Sequence, residues 1–154
     1  MNVAFCEGWY ECSIRCRLRG IEMEFTIKRS EWARGGGPAG TRLYNPANNT
    51  RCCLGFMANA YELDDSVIAD KRNPGDLYSD IAPHVTWSSR AVPEVSGIEY
   101  FNLLLKPHEG ITEHNEVCVK LIQANDDLGI DEPRREERLS ELFQSLGITV
   151  HFED

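Results

Sequence analysis

Basic side chains are scarce in the second half of this chain. Residues 78–154 hold 15 acidic and 6 basic side chains, against 10 of each in residues 1–77, so the formal charge of −9 lies beyond residue 77. Phosphate binding needs a basic surface, so direct nucleic-acid recognition is not expected of that half, while a basic protein partner is allowed. Long apolar runs are missing too. None approaches the ~20 residues that span a bilayer, so no membrane association is expected. The first residues, Met1 to Gly8, carry neither a basic stretch nor a long apolar one, so no secretory leader is expected.

The motifs of several catalytic classes are absent as well. The cysteines at 6, 12, 16, 52, 53 and 118 form no Cys-x-x-Cys pair, and Cys12 and Cys16 would stand roughly 13 Å apart on a strand, too far to share a zinc. Reduced thiols in a cytoplasmic setting are expected. The glycine-rich run Gly35–Gly40 lacks the Gly-Lys-Ser/Thr ending of a phosphate loop. Asp126 and Glu137 match the first and twelfth positions of a calcium loop, but Asp131 occupies the sixth, where glycine is required, and Pro133 the eighth. No metal and no cofactor is therefore expected.

What is present is alternation. Cys12, Ile14, Cys16 and Leu18 alternate with polar residues, and after Gly20 so do Ile21, Met23, Phe25 and Ile27. Period two predicts half-buried strands, with Arg19-Gly20 as the turn of a hairpin over residues 10–29. That register sets Ile14 against Phe25 and Arg15 against Glu24, and a slip of one residue would turn every side chain to the wrong face. Ile148, Val150 and Phe152 alternate again and predict a strand over 148–152 beside the hairpin.

Helical spacing appears in three places. Thr50 is a plausible cap for a helix from Arg51 to Glu62, whose Gly55 implies close approach of another backbone. Thr112 is placed to cap a helix from Glu113 to Ala124. Asp131 caps the next, with Pro133 in its first turn, Leu139, Leu142, Phe143 and Leu146 on one face, and Gly147 ending it. Residues 97–106 read as a strand. A single turn capped by Ser30 follows the hairpin, and 63–96 resist reading. The expected fold is one α+β domain over 1–154: a small antiparallel sheet from the hairpin 10–29 and strand 148–152, with about three helices packed on one face.

Trp32, the glycine-rich loop, Leu43-Tyr44 and Arg51-Cys52-Cys53-Leu54-Gly55 resemble a group of uncharacterised small phage and prophage proteins. In those, Cys-Cys-Leu-Gly opens a helix and Leu-x-x-x-Asn-Asp ends another. Here Leu121 to Asp126 is similar, and the resemblance covers residues 29–62 and 116–146. It implies a phage-like origin and no established activity. By analogy it suggests a protein that binds and blocks host machinery.

Three functional expectations result. The leading one is a non-enzymatic interaction protein that inhibits or modulates a basic host protein, such as a nucleic-acid-binding defence complex of the CRISPR kind. Its acidic face would consist of Asp126, Asp127, Asp131, Glu132, Glu136 and Glu137. Intrahelical pairs such as Arg134–Glu137 and Arg138–Glu141 compete for the same charges. The alternative is a small-ligand or nucleotide binder using Arg34, Gly36, Gly37, Arg42 and Arg51 around the glycine-rich loop. The third is a thiol-dependent enzyme, because Cys52 and Cys53 fall in the first turn of a helix, where the dipole lowers thiol pKa.

Overall fold

The structure, a computed structural model, describes residues 23–81, 98–108 and 111–154. Residues 10–22, and with them the hairpin partner expected opposite Phe25, lie outside the described residues. The rest is a mixed α+β arrangement with a small sheet. Strand β1 is Met23–Lys28 and strand β4 is Ile148–Glu153. Between them run α1 (Cys53–Ala60), the short α2 (Asp65–Ile68), α3 (Pro74–Ile81), α4 (Ile98–Leu104), β2 (Leu105–His108), β3 (Ile111–His114), α5 (Glu116–Asp126) and α6 (Glu132–Ser145). Two 3-10 turns, Arg29–Glu31 and Gly37–Ala39, follow β1.

The C-terminal strand joins β1 as expected, but the pairing is parallel rather than antiparallel. Met23 stands beside Ile148, Phe25 beside Val150 and Ile27 beside Phe152. Alternation decides which face each side chain takes and is blind to strand direction, since both directions match apolar with apolar. Direction is set instead by α6, which turns back through Leu146 and Gly147 and packs against the strand it has just released. Gly147 has a φ of +74° and donates to the Gln144 carbonyl, the left-handed helix end that glycine adopts most readily.

The core forms where α1 and α6 meet the β1–β4 pair and α5 fills the space between the two helices. Phe25 meets Phe143 edge-on at 5.1 Å, and Ile27, Met57, Leu121, Leu139 and Ile148 are buried. Gly55 explains itself here. A Cβ at that position would lie 1.8 Å from the Leu43 carbonyl oxygen, so the loop before α1 can cross the helix only over a glycine.

Two helix starts fall later than their expected caps. Cys52 precedes α1 and Thr50 does not cap it, because Thr50 is held in a bridge with Asn45. Asn115, not Thr112, caps α5, accepting from the Cys118 amide. Residues 111–114 are taken up by β3, which pairs with β2. The strand expected over 97–106 is a helix to Leu104 and a strand only from Leu105, the ambiguity that short apolar runs carry. Ser30 makes no cap bond. Asp131 does cap α6, accepting from the Arg134 amide.

Candidate interaction surface

The glycine-rich loop and the acidic segment, far apart in sequence, form one surface. Their joint is Asn125, at the end of α5 and almost fully buried. Its Oδ1 accepts from Trp32 Nε1 at 2.8 Å and from the Cys53 amide at 3.1 Å. Its Nδ2 donates to the Ala33 carbonyl at 3.1 Å and to Thr41 Oγ1 at 2.9 Å. Its carbonyl accepts from the Gly35 amide at 2.8 Å and from Arg135 at 3.0 Å. One side chain thus satisfies an orphan amide of α1, the indole of Trp32 and the start of the loop, which a buried amide must do to offset its desolvation.

Arg135 holds the other half. It is on α6, 5% exposed, and its guanidinium donates to the Asn125, Asp127 and Ile130 carbonyls at 3.0, 2.5 and 3.2 Å. These are carbonyls at and just past the end of α5, where a cation also meets the negative end of the helix dipole. The segment Asp127–Asp131 is therefore clamped from beneath. Asp127 Oδ1 accepts from the Gly129 amide at 2.7 Å, and Asp131 closes the segment as a cap.

The six carboxylates of the expected acidic face do different things. Glu132 pairs with Arg34, and Glu136 takes both Nε and a terminal nitrogen of Arg29, at 2.7 and 3.0 Å. Asp126 accepts from the Thr41 amide and hydroxyl at 3.2 and 2.9 Å. Asp127 binds locally, Asp131 lies 3.8 Å from Arg134, and Glu137 is exposed. Arg134 thus faces Asp131 rather than the Glu137 expected for it. The structure brings Asp126, Asp127, Asp131 and Glu132 to one loop and turns Glu136 toward Arg29 and the chain's last residue.

The arginines expected to bind a ligand are also committed. Arg34 meets Glu132 and stacks 4.6 Å from the Trp32 ring centroid. Arg42 pairs with Asp70, and Arg51 reaches Glu31 at 2.8 Å and Asp65 at 3.0 Å while lying over Tyr44 and Phe56. Two candidate sites thus share a salt bridge, Arg34–Glu132, instead of standing apart. The loop amides of Gly35 and Thr41 point to Asn125 and Asp126, so an anion there would face a carboxylate. Gly36 serves tightness alone, since a Cβ there would meet the Gly40 carbonyl carbon at 2.7 Å.

Beside the joint, Thr41, Cys52, Arg72 and Asp126 line a small cleft with room for little more than a water molecule. Small-molecule sites occupy ~300 Å³ or more. Cys52 and Cys53 do sit at the start of α1, but burial outweighs the helix dipole. The Cys52 thiol is pushed up to about 11, and Cys53 also lies well above its ordinary value. Cys118 is likewise buried and pushed up to about 12, although its sulfur is 3.3 Å from His114 Nδ1. These thiols stay protonated at neutral pH, which is the state of packed cysteines rather than of nucleophiles.

Three residues of this surface escaped the sequence reading. Arg135 continues the apolar stripe of α6 one turn before Leu139, and a charged residue on a buried face was its signal. Asn125 enters the sequence reading only as the Asn of the Leu-x-x-x-Asn-Asp helix ending, with no role assigned to its side chain. Leu128 is 73% exposed in the turn Asp127-Leu128-Gly129-Ile130-Asp131, whose other apolar residue, Ile130, is half-buried. Comparison with protein-family models, curated proteins and solved structures gave no match.

Proposed function

We propose that this chain is a non-enzymatic protein-binding module that engages a basic partner through the loop following α5 and the exposed start of α6. The phage-like resemblance supplies the setting: a phage-encoded protein acting on a host protein, for instance a nucleic-acid-binding defence complex, as an inhibitor or modulator. The observation that carries this reading is the direction of the arginines. Arg135 is spent on backbone carbonyls inside, and Arg29 and Arg34 are spent on Glu136 and Glu132. Asp126 and Asp127 have no ion pair among the described residues, and Asp131 and Glu137 are exposed. The face left over sets Asp126, Asp127, Asp131 and Glu137 against the exposed Arg134 and Arg138, a net acidic surface that suits steering toward a basic one.

Capture from bacterial lysate at low and high salt tests this. The expected result is a basic partner retained at ~50 mM salt and released at ~500 mM, as screened charge pairs require. A variant combining Asp127→Asn, Asp131→Ser and Glu137→Gln keeps the turn and cap acceptors while removing three charges. It should lose the partner at low salt. A partner held equally by this variant, or retained at high salt, overturns the reading.

A further inference from the structure

We infer that the partner is gripped at Leu128, and that it presents an apolar side chain flanked by lysines or arginines. This inference rests on the proposed acidic face and adds where and how the contact is made. Leu128 lies against the glycine-rich loop: a Cβ at Gly37 would stand 2.8 Å from its Cδ1, and one at Gly35 3.9 Å from its Cδ2. Gly37 continues into Pro38 and Ala39, both exposed. Leu128 and Gly37 thus meet as an apolar ledge where two segments of chain come together, with the exposed Pro38 and Ala39 next in the chain. Its rim is charged, with Asp126 behind Gly40, Asp127 beside Leu128, and Asp131 at the far end of the turn.

Two features separate this ledge from an ordinary exposed leucine. First, Leu128 stays 73% exposed although it touches the glycine-rich loop, and the backbone of the turn is already held by Arg135, Asp127 and Asp131. Second, the seat is ready-made. The glycines beneath Leu128 leave it supported on one side and open on the other, and Arg135 fixes the turn, so little freedom remains to be lost on docking. An apolar contact ringed by opposite charges is how compact interfaces combine an anchor with orientation. An exposed apolar side chain in a segment that also carries Asp126, Asp127 and Asp131 is complementary to a segment with an apolar residue between basic ones.

Selection of a random peptide display library on the intact chain, with titration of the enriched peptides by fluorescence anisotropy, tests this. The expected peptides carry Lys or Arg on both sides of a Leu, Ile, Met or Phe. Leu128→Asp should weaken them about tenfold or more, the loss typical of a central anchor. Val119→Asp, a substitution at another exposed apolar position on α5, should change affinity by less than about twofold. Both variants replace exposed side chains, and unchanged circular dichroism confirms that each still folds. Basic peptides whose affinity ignores Leu128→Asp overturn the anchor and leave the acidic face standing. Enrichment of peptides without basic residues, or of none above a scrambled pool, overturns both.

Discussion

The two ends of the described chain and its middle are held by different chemistry. Around β1, β4, α1, α5 and α6, partners distant in sequence are joined by polar groups with fixed geometry: Trp32 to Asn125, Thr41 to Asp126, Arg34 to Glu132, Arg29 to Glu136. In the region of α3, α4 and β2–β3, aromatic rings do the joining. Tyr78 meets Phe101 at 5.5 Å, Tyr100 meets Phe101 at 5.4 Å, and Tyr100 meets Tyr61 at 6.4 Å. The first region adds to ring contacts such as Phe25 with Phe143 a set of long-range joints specified by which atom meets which, and the second rests more on volume. A polar joint loses most of its worth when one partner goes, because the survivors are left buried and unpaired. A ring cluster loses in proportion to the atoms removed.

Substitutions can break this comparison, and the largest effect is expected at Gly55. Gly55→Ala forces a methyl into the Leu43 carbonyl, so about 3–5 kcal/mol of stability should be lost in urea unfolding. A loss below about 1 kcal/mol would show that the loop before α1 is free to back away. Asn125→Leu follows. It strands the Trp32 indole, the Cys53 amide and the Ala33 carbonyl, and at ~1–3 kcal/mol per buried orphan it should cost about 3 kcal/mol or more. The middle region offers the matched control. Tyr100 is fully buried and its hydroxyl donates to the Leu54 carbonyl at 3.1 Å. Tyr100→Phe keeps the ring and should cost only about 1 kcal/mol. Equal losses at Asn125 and Tyr100 would erase the distinction.

A pH dependence sharpens it further. His114, half-buried between α3 and α5, has its pKa lowered from 6.5 mainly by desolvation, with Asp76 pulling it back up. A depressed histidine binds its proton more readily in the unfolded chain. Its contribution is therefore complete above pH 6.5 and is lost as pH falls below that value. Urea midpoints should decline from pH 7.5 to 5.5, and His114→Gln should flatten that decline; an unchanged slope would remove His114 as its source. The smallest effect belongs to the exposed Arg42–Asp70 pair. Arg42→Ala should shift stability by no more than about 0.5 kcal/mol, as exposed pairs in water do.

What could be read from the sequence follows the same division. Local rules worked where a residue's job is local: Asp131 as a cap, Gly147 as a helix end, Gly55 as a point of close approach. Face alternation predicted a strand over 148–152 beside the hairpin, and it does lie beside β1, but the pairing is parallel where an antiparallel sheet was expected, because direction depends on how α6 packs. Residues 98–104 looked like a strand because a brief apolar run is satisfied equally by a buried helix. The candidate surface was half legible. Its carboxylates and glycines were picked out separately, but nothing in their spacing shows that Arg34 and Glu132 neutralise each other. Nor does it show that Arg135 holds the turn that carries Leu128, because those contacts join segments about a hundred residues apart or run from side chain to backbone.

The parallel pairing of β1 with β4 also governs when the molecule can come together. The β1–β4 pairing cannot form until residues 148–153 have been made, and the Arg29–Glu136 contact already reaches across 107 residues. Only then do Phe25 and Ile27 meet Val150 and Phe152. Topologies dominated by such distant contacts assemble slowly. A shortened chain ending before Ile148 would leave the edge of β1 that faces β4 open to pairing with another strand.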